Sequence, residues 1–139
     1  MSDTPEGINV TGKPFRVLIA DDKPAEISKI QSILEGESYD VPATFSNGRE
    51  LVSWVKANGD GADAIVLDIV MPVLDGFAAF YEMRELPRMP RVIFYSVENS
   101  AAIVRKLVED GAGDFIVKPV KEENLLAALR KVLHGVAAK

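Results

Sequence analysis

Along the chain, short apolar runs alternate with longer segments whose apolar residues recur every three or four positions. The runs are FRVLIA (15–20), VPATF (41–45), AIVLD (64–68), RVIFY (91–95) and DFIV (114–117). Stretches such as VLIA and AIVL are apolar at every position, which suits strands covered on both faces. Between the first two runs, Ile27, Ile30, Ile33 and Leu34 repeat at helical spacing, with Gly36 as the expected stop. A second helix rests on Leu51, Val52 and Val55, and a third on Phe77, Phe80 and Tyr81. The fourth carries Ile103, Val104, Leu107 and Val108, with Asn99 or Ser100 as N-cap and Gly111 after its end. Leu125, Leu126, Leu129, Val132 and Leu133 mark the fifth.

Strict alternation of strand and helix predicts a parallel sheet with helices on both faces, because parallel strands need crossover connections. The expected fold is a single doubly wound α/β domain over residues 15–139. Residues 1–14 mix Pro5, Gly7, Gly12 and Pro14 with polar side chains and read as a flexible N-terminal arm.

One carboxylate breaks the pattern: Asp68 stands inside the apolar stretch IVLDIVMP. An isolated ionised carboxylate in a core costs several kcal/mol unless it is paired, hydrogen-bonded or metal-bound. In open parallel sheets, ligands bind beyond the carboxyl ends of the strands. The first run ends in Asp21 and Asp22, the third in Asp68, the fourth in Ser96, and the fifth in Lys118 followed by Pro119. Only the second, ending near Ser46 and Asn47, offers no charge.

Three carboxylates on one rim repel unless a cation sits among them. Mg²⁺, with Mn²⁺ as a substitute, suits one or two carboxylates, waters and a phosphate oxygen. A carboxylate also attacks phosphorus to form an aspartyl-phosphate, and the transferring group needs fixed donors around it. Asp68 is therefore the expected phosphoacceptor, with Ser96 and Lys118 as donors. Each residue also has a plainer reading: Asp22 as cap of the first helix, Asp68 as a turn residue, Ser96 as a loop hydroxyl, Lys118 as a solvated lysine. Their shared position at strand ends argues against all of these together.

Composition narrows the choices. The 139 residues carry 16 Lys+Arg against 21 Asp+Glu, a net charge of −5, which disfavours nucleic acid as a partner. Absence of cysteine excludes disulfides and thiolate chemistry. No apolar stretch approaches the roughly 20 residues of a membrane span, and the N-terminus lacks signal-peptide features, so a cytoplasmic protein is expected. His134, the only histidine, falls in the last helical turn and reads as a surface residue rather than a relay phosphoacceptor.

The segments VLIADD, VLDIVMPVLDG, IFYS and DFIVKP, in this order and spacing over residues 15–134, resemble the response-regulator receiver domain of two-component signalling. The resemblance implies the flavodoxin-like, CheY-like form of the fold, a five-stranded sheet of order 2-1-3-4-5 with five helices. It implies that Asp68 accepts a phosphoryl group from a histidine kinase, and that Asp21, Asp22, Asp68 and the Val70 carbonyl hold Mg²⁺. Ser96 and Lys118 match the family's hydroxyl and lysine that touch the phosphoryl oxygens, and Lys118–Pro119 matches a position usually joined by a cis peptide.

Phe115 matches the switch aromatic, which is expected to turn inward as Ser96 moves toward the phosphoryl group. On composition alone Phe115 is an ordinary core aromatic. Val97 departs from the commonest pattern, where a small residue follows the hydroxyl position, and its branched side chain is expected to narrow access. Expected partners are a sensor histidine kinase of the CheA type, a flagellar switch protein or other output protein at the face of helix 4, strand 5 and helix 5, and a dedicated phosphatase.

No DNA-binding or catalytic domain is expected beyond residue 139, and the expected role is a stand-alone regulator of chemotaxis, a phospho-acceptor rather than an enzyme. The alternative is a phosphorelay intermediate that passes its phosphoryl group to a histidine phosphotransferase. A flavin binder on the same topology would need a phosphate-cradling loop where ADDKPAE stands, and a haloacid-dehalogenase-type hydrolase would need an acid at Val70. An inactive scaffold sits poorly with a full set of chemically competent residues.

Overall fold

Every side chain of the first strand, β1 (Val17–Ala20), is buried, because the sheet is covered on both faces. The structure, a computed structural model, describes residues 5–134; residues 1–4 of the expected arm and 135–139 of the expected domain lie outside the described residues. The order continues α1 (Pro24–Gly36), β2 (Thr44–Phe45), α2 (Gly48–Asn58), β3 (Ala64–Asp68), α3 (Gly76–Met83), β4 (Arg91–Ser96), α4 (Ala101–Glu109), β5 (Asp114–Val117) and α5 (Glu122–Leu129). The five strands are parallel in the order β2-β1-β3-β4-β5, the flavodoxin-like arrangement expected.

Alternation along each strand sorts the core into two layers. Leu18, Ile65, Leu67, Val92 and Phe94 meet Leu51, Val52 and Val55 of α2, Phe80 and Met83 of α3, and Leu107 of α4. Val17, Ile19, Val66, Ile93 and Ile116 meet Ile30 and Leu34 of α1 and Leu125 and Leu129 of α5. A fully buried aliphatic side chain contributes about 1.5–3 kcal/mol, so these layers set which way each strand faces.

Helix starts follow the local chemistry. Asn47, Asp75 and Ser100 each accept a backbone N–H through the side chain and cap α2, α3 and α4. Elsewhere the structure corrects the sequence expectation. Gly36 ends α1 from inside the helix, and the left-handed turn falls instead on Ser38, at φ 68°. The run VPATF contributes only Thr44 and Phe45 to the edge strand, since Pro42 has no N–H to donate. Beyond Leu129 the last helix widens into a π-type turn over Arg130–His134.

The described part of the N-terminal arm is docked, not free. Ile8 and Pro14 form an antiparallel bridge, the Gly7 N–H donates to the Glu37 carbonyl at 2.8 Å, and the Phe15 N–H donates to the Gly7 carbonyl at 2.7 Å. Arg130 pairs with Glu6 at 2.8 Å. The His134 ring, exposed as expected of a surface residue, bonds the Glu6 carbonyl at 2.9 Å and stands edge-on to Phe15 at 5.0 Å. Composition missed this because short polar and Gly/Pro segments signal a loop without saying what the loop rests on.

Gly7 is the residue that permits the docking: a Cβ there would lie 2.2 Å from the Tyr39 nitrogen and 2.5 Å from the Glu37 carbonyl oxygen. Gly7→Ala is expected to destabilise the fold by about 1–3 kcal/mol, read from the urea midpoint, and to strip hydrogen-exchange protection from the Phe15 amide. An unchanged midpoint with the amide still protected would contradict the docked arrangement.

Candidate functional site

Ile19, Val66 and Ile93 pair in a row across β1, β3 and β4, all facing α1 and α5. Two residues further along each strand, on the same face, come Asp21, Asp68 and Tyr95. Asp68 pairs with Tyr95 in the sheet register. Ile116, opposite Tyr95, directs its second neighbour Lys118 to the same face. β1 and β3 are adjacent, yet the chain leaves them toward opposite edges of the sheet. That divergence opens a crevice at their carboxyl ends.

Within the crevice, Lys118 Nζ stands 3.3 Å from Asp21 Oδ2 and 3.3 Å from Asp68 Oδ2. Asp68 Oδ1 accepts the Ile69 N–H at 2.8 Å, and Asp21 Oδ1 accepts the Lys23 N–H at 2.8 Å. Asp21 is 0% exposed and Asp68 2%. Asp22 is more open and does not cap α1, whose N-cap is Lys23 with no side-chain bond. One carboxylate oxygen from each of Asp21, Asp22 and Asp68 lies within 4.8 Å of the others.

Burial, and then the Asp21 charge, push the Asp68 carboxyl above its usual range, against Lys118, which pulls it down. For the Lys118 ammonium, burial works downward, but Asp68 and Asp21 outweigh it and the net shift is upward. Lys118 is therefore a fixed positive charge at neutral pH.

Ser96 is buried, but its hydroxyl is engaged by its own loop, accepting the Glu98 N–H at 3.1 Å. Its carbonyl accepts the Lys118 N–H at 3.0 Å, which ties the ends of β4 and β5 together. Phe115 is half-buried and stacks on Phe94 at 6.3 Å. The Lys118–Pro119 peptide is cis. Val70 and Val97 both direct exposed side chains to solvent beside the site.

The loop after Asp68 is folded tightly against the strand it leaves. The Gly76 N–H donates to the Ile69 carbonyl at 2.7 Å, and a Cβ at Gly76 would come within 2.1 Å of the Asp68 carbonyl oxygen. Val73 in this loop has φ 68° and is 81% exposed, a strained backbone for a β-branched residue.

Sequence reasoning missed Tyr95. Its ring is fully buried and its hydroxyl donates to Asp21 Oδ2. The available signal was a phenol ending an otherwise apolar run, since a buried tyrosine hydroxyl needs a partner. Burial, then the bond to Asp21, push the phenol well above its ordinary range.

The response regulator receiver domain family matches residues 17–130. The chain belongs to this family. Among curated relatives, this receiver domain is 33% identical over 129 residues to chemotaxis protein CheY of Treponema pallidum, covering 93% of this chain and 90% of that protein. It is 33% identical over 119 residues to chemotaxis protein CheY of Bacillus subtilis, covering 86% and 98%. Among solved structures, it superposes with a TM-score of 0.90 on a chain of the CheX–CheY–BeF3–Mg²⁺ complex from Borrelia burgdorferi. The identity is 33%, covering 94% of this chain and 98% of that one.

Because the folded receiver domain holds the Asp68 proton more tightly than the unfolded chain does, stability falls as pH rises through the window between the two pKa values. The ionised carboxylate thus opposes folding at neutral pH. Asp68→Asn is expected to raise stability at pH 7 by on the order of 1 kcal/mol. The gain should shrink as pH falls toward the unfolded carboxylate range near ~3.9. Urea titrations at pH 7 and pH 4 check this, and a less stable variant at pH 7 would reverse the sign assigned here.

Proposed function

We propose that this receiver domain is a phospho-acceptor of the single-domain CheY type, in which Asp68 takes a phosphoryl group from the phosphohistidine of a sensor kinase. The observation that carries the reading is a buried carboxylate at the end of β3 with one ammonium at 3.3 Å and two further carboxylates gathered beside it. An Asp68 oxygen attacks phosphorus, the P–N bond breaks, and the imidazole leaves with the electron pair. Water later cleaves the acyl phosphate, returning the carboxylate and inorganic phosphate.

The donor set fits a hard divalent cation, since it is all oxygen and anionic. Asp21, Asp22, Asp68 and the Val70 carbonyl would hold Mg²⁺, which supplies positive charge against the phosphoryl oxygens. Lys118, already 3.3 Å from Asp68 Oδ2, would pair with the new charge. Ser96 gives up the Glu98 N–H to reach the phosphoryl group, and Phe115 turns inward behind it, reshaping the face of α4, β5 and α5. Exposed Val108 and Val117 on that face support its use as an output surface. This is a local charge biasing a two-state element.

Chemotaxis is the favoured pathway, ahead of a phosphorelay intermediate. Its support is the CheY relatives, whose length the chain nearly spans. The partners proposed are a CheA-type histidine kinase, a flagellar switch protein, and a phosphatase or CheX-type protein. The CheX pairing rests on the Borrelia complex. The chain works in the cytoplasm as a signalling domain rather than as an enzyme. Among the described residues, no helix is long and apolar enough to cross a membrane.

Incubation with acetyl phosphate and Mg²⁺ is expected to add the mass of one phosphoryl group. Chelation of the metal, or Asp68→Asn, should abolish the gain, read by intact mass spectrometry. An equal gain in Asp68→Asn would move the nucleophile elsewhere.

A further inference from the structure

Asp21 is a fully buried carboxylate whose two oxygens are served by three donors. Oδ1 takes the Lys23 N–H at 2.8 Å, while Oδ2 takes both the Tyr95 hydroxyl and Lys118 Nζ, the latter at 3.3 Å. Two of these donors are held in place. The Lys23 N–H is backbone at the start of α1, and Tyr95 is a wholly buried ring on a central strand, with two torsions and no room to turn. Only Lys118 is free to leave. Its ammonium divides itself between Asp21 and Asp68 and sits 4.7 Å from the centroid of the Tyr95 ring.

A lysine in this position faces a conflict. When negative charge grows on Asp68, the ammonium is drawn toward it, and leaving Asp21 with an unpaired buried oxygen would hold it back. Tyr95 removes the conflict, since its hydroxyl stays on Asp21 Oδ2 after the ammonium departs. The face of the same ring attracts the cation and forms a surface along which Nζ moves from one carboxylate to the other.

We propose that Tyr95 is a positioning residue for Lys118: its hydroxyl keeps Asp21 paired, and so releases the ammonium to the phosphoryl group on Asp68. The inference rests on the phosphoacceptor reading of Asp68. It assigns the phenol a part in accommodating the phosphoryl group rather than in holding the metal.

The test uses the full chain and beryllofluoride, a phosphoryl mimic, as the probe. Calorimetry measures the affinity for Mg²⁺ alone and then for beryllofluoride at saturating Mg²⁺, in the parent protein and in Tyr95→Phe, which keeps the ring and removes only the oxygen. Beryllofluoride binding is expected to weaken about ten-fold in the variant while Mg²⁺ affinity changes less than about two-fold. A merely structural role would weaken both alike, and equal losses, or no loss of beryllofluoride affinity, overturn the proposal. A parent protein that binds no beryllofluoride overturns the phosphoacceptor reading itself, and this inference with it. A second measurement needs no variant: in the structure of the parent protein with Mg²⁺ and beryllofluoride, Lys118 should leave Asp21 while the Tyr95 hydroxyl remains. A phenol that lets go of Asp21 there counts decisively against the role.

Discussion

The site depends on one ammonium shared by two buried carboxylates. Lys118 stands 3.3 Å from both Asp21 and Asp68, and without it those charges would face each other at the end of a dry sheet. Buried ions are tolerated only when paired and hydrogen-bonded, and here each carboxylate also accepts a backbone N–H. Even so, three carboxylates meet two ammoniums, Lys118 and the more exposed Lys23, which stands 3.7 Å from Asp22, and the site remains short of positive charge. That shortage suits it to a divalent cation. It also makes the arrangement sensitive to any change of charge on Asp68.

Rigid and movable parts are divided along the same line. Asp21, Asp68 and Tyr95 are held by the central strands, whose residues are almost wholly buried. Ser96 is buried at the very end of β4 and Phe115 is half-buried on β5, and the segment that follows Ser96 is looser. Among the described residues, the Ser96 hydroxyl is bonded only to its own loop, and α4, which follows, has Leu107 as its single buried residue. Segments with few buried contacts open at low free-energy cost. A shift at the β4–α4 loop therefore has little packing to overcome, whereas a shift of β3 would disturb both core layers.

Legibility in the sequence followed the range of the interactions involved. The alternation of apolar runs and helical segments was readable because its periods are local, and the strand-end residues Asp21, Asp22, Asp68, Ser96 and Lys118 were readable because the fold class says where strand ends converge. Gly36 misled because a glycine marks a possible stop, while the actual turn fell on Ser38. The docked N-terminal loop was invisible for another reason. Its partners Glu37, Arg130 and His134 are distant in sequence, and composition carries no record of them.

What the sequence determined by itself was the layer architecture and the identity of the charged groups, since burial periodicity and the cost of a lone buried carboxylate act residue by residue. Tertiary structure alone decided how those charges are shared. Whether Asp22 caps a helix or joins the acidic cluster, where the Ser96 hydroxyl points, and that Tyr95 donates to Asp21 all depend on register between strands far apart in the chain. A parallel sheet sets that register through long crossovers, and a shift of one residue would turn every one of these side chains to the opposite face.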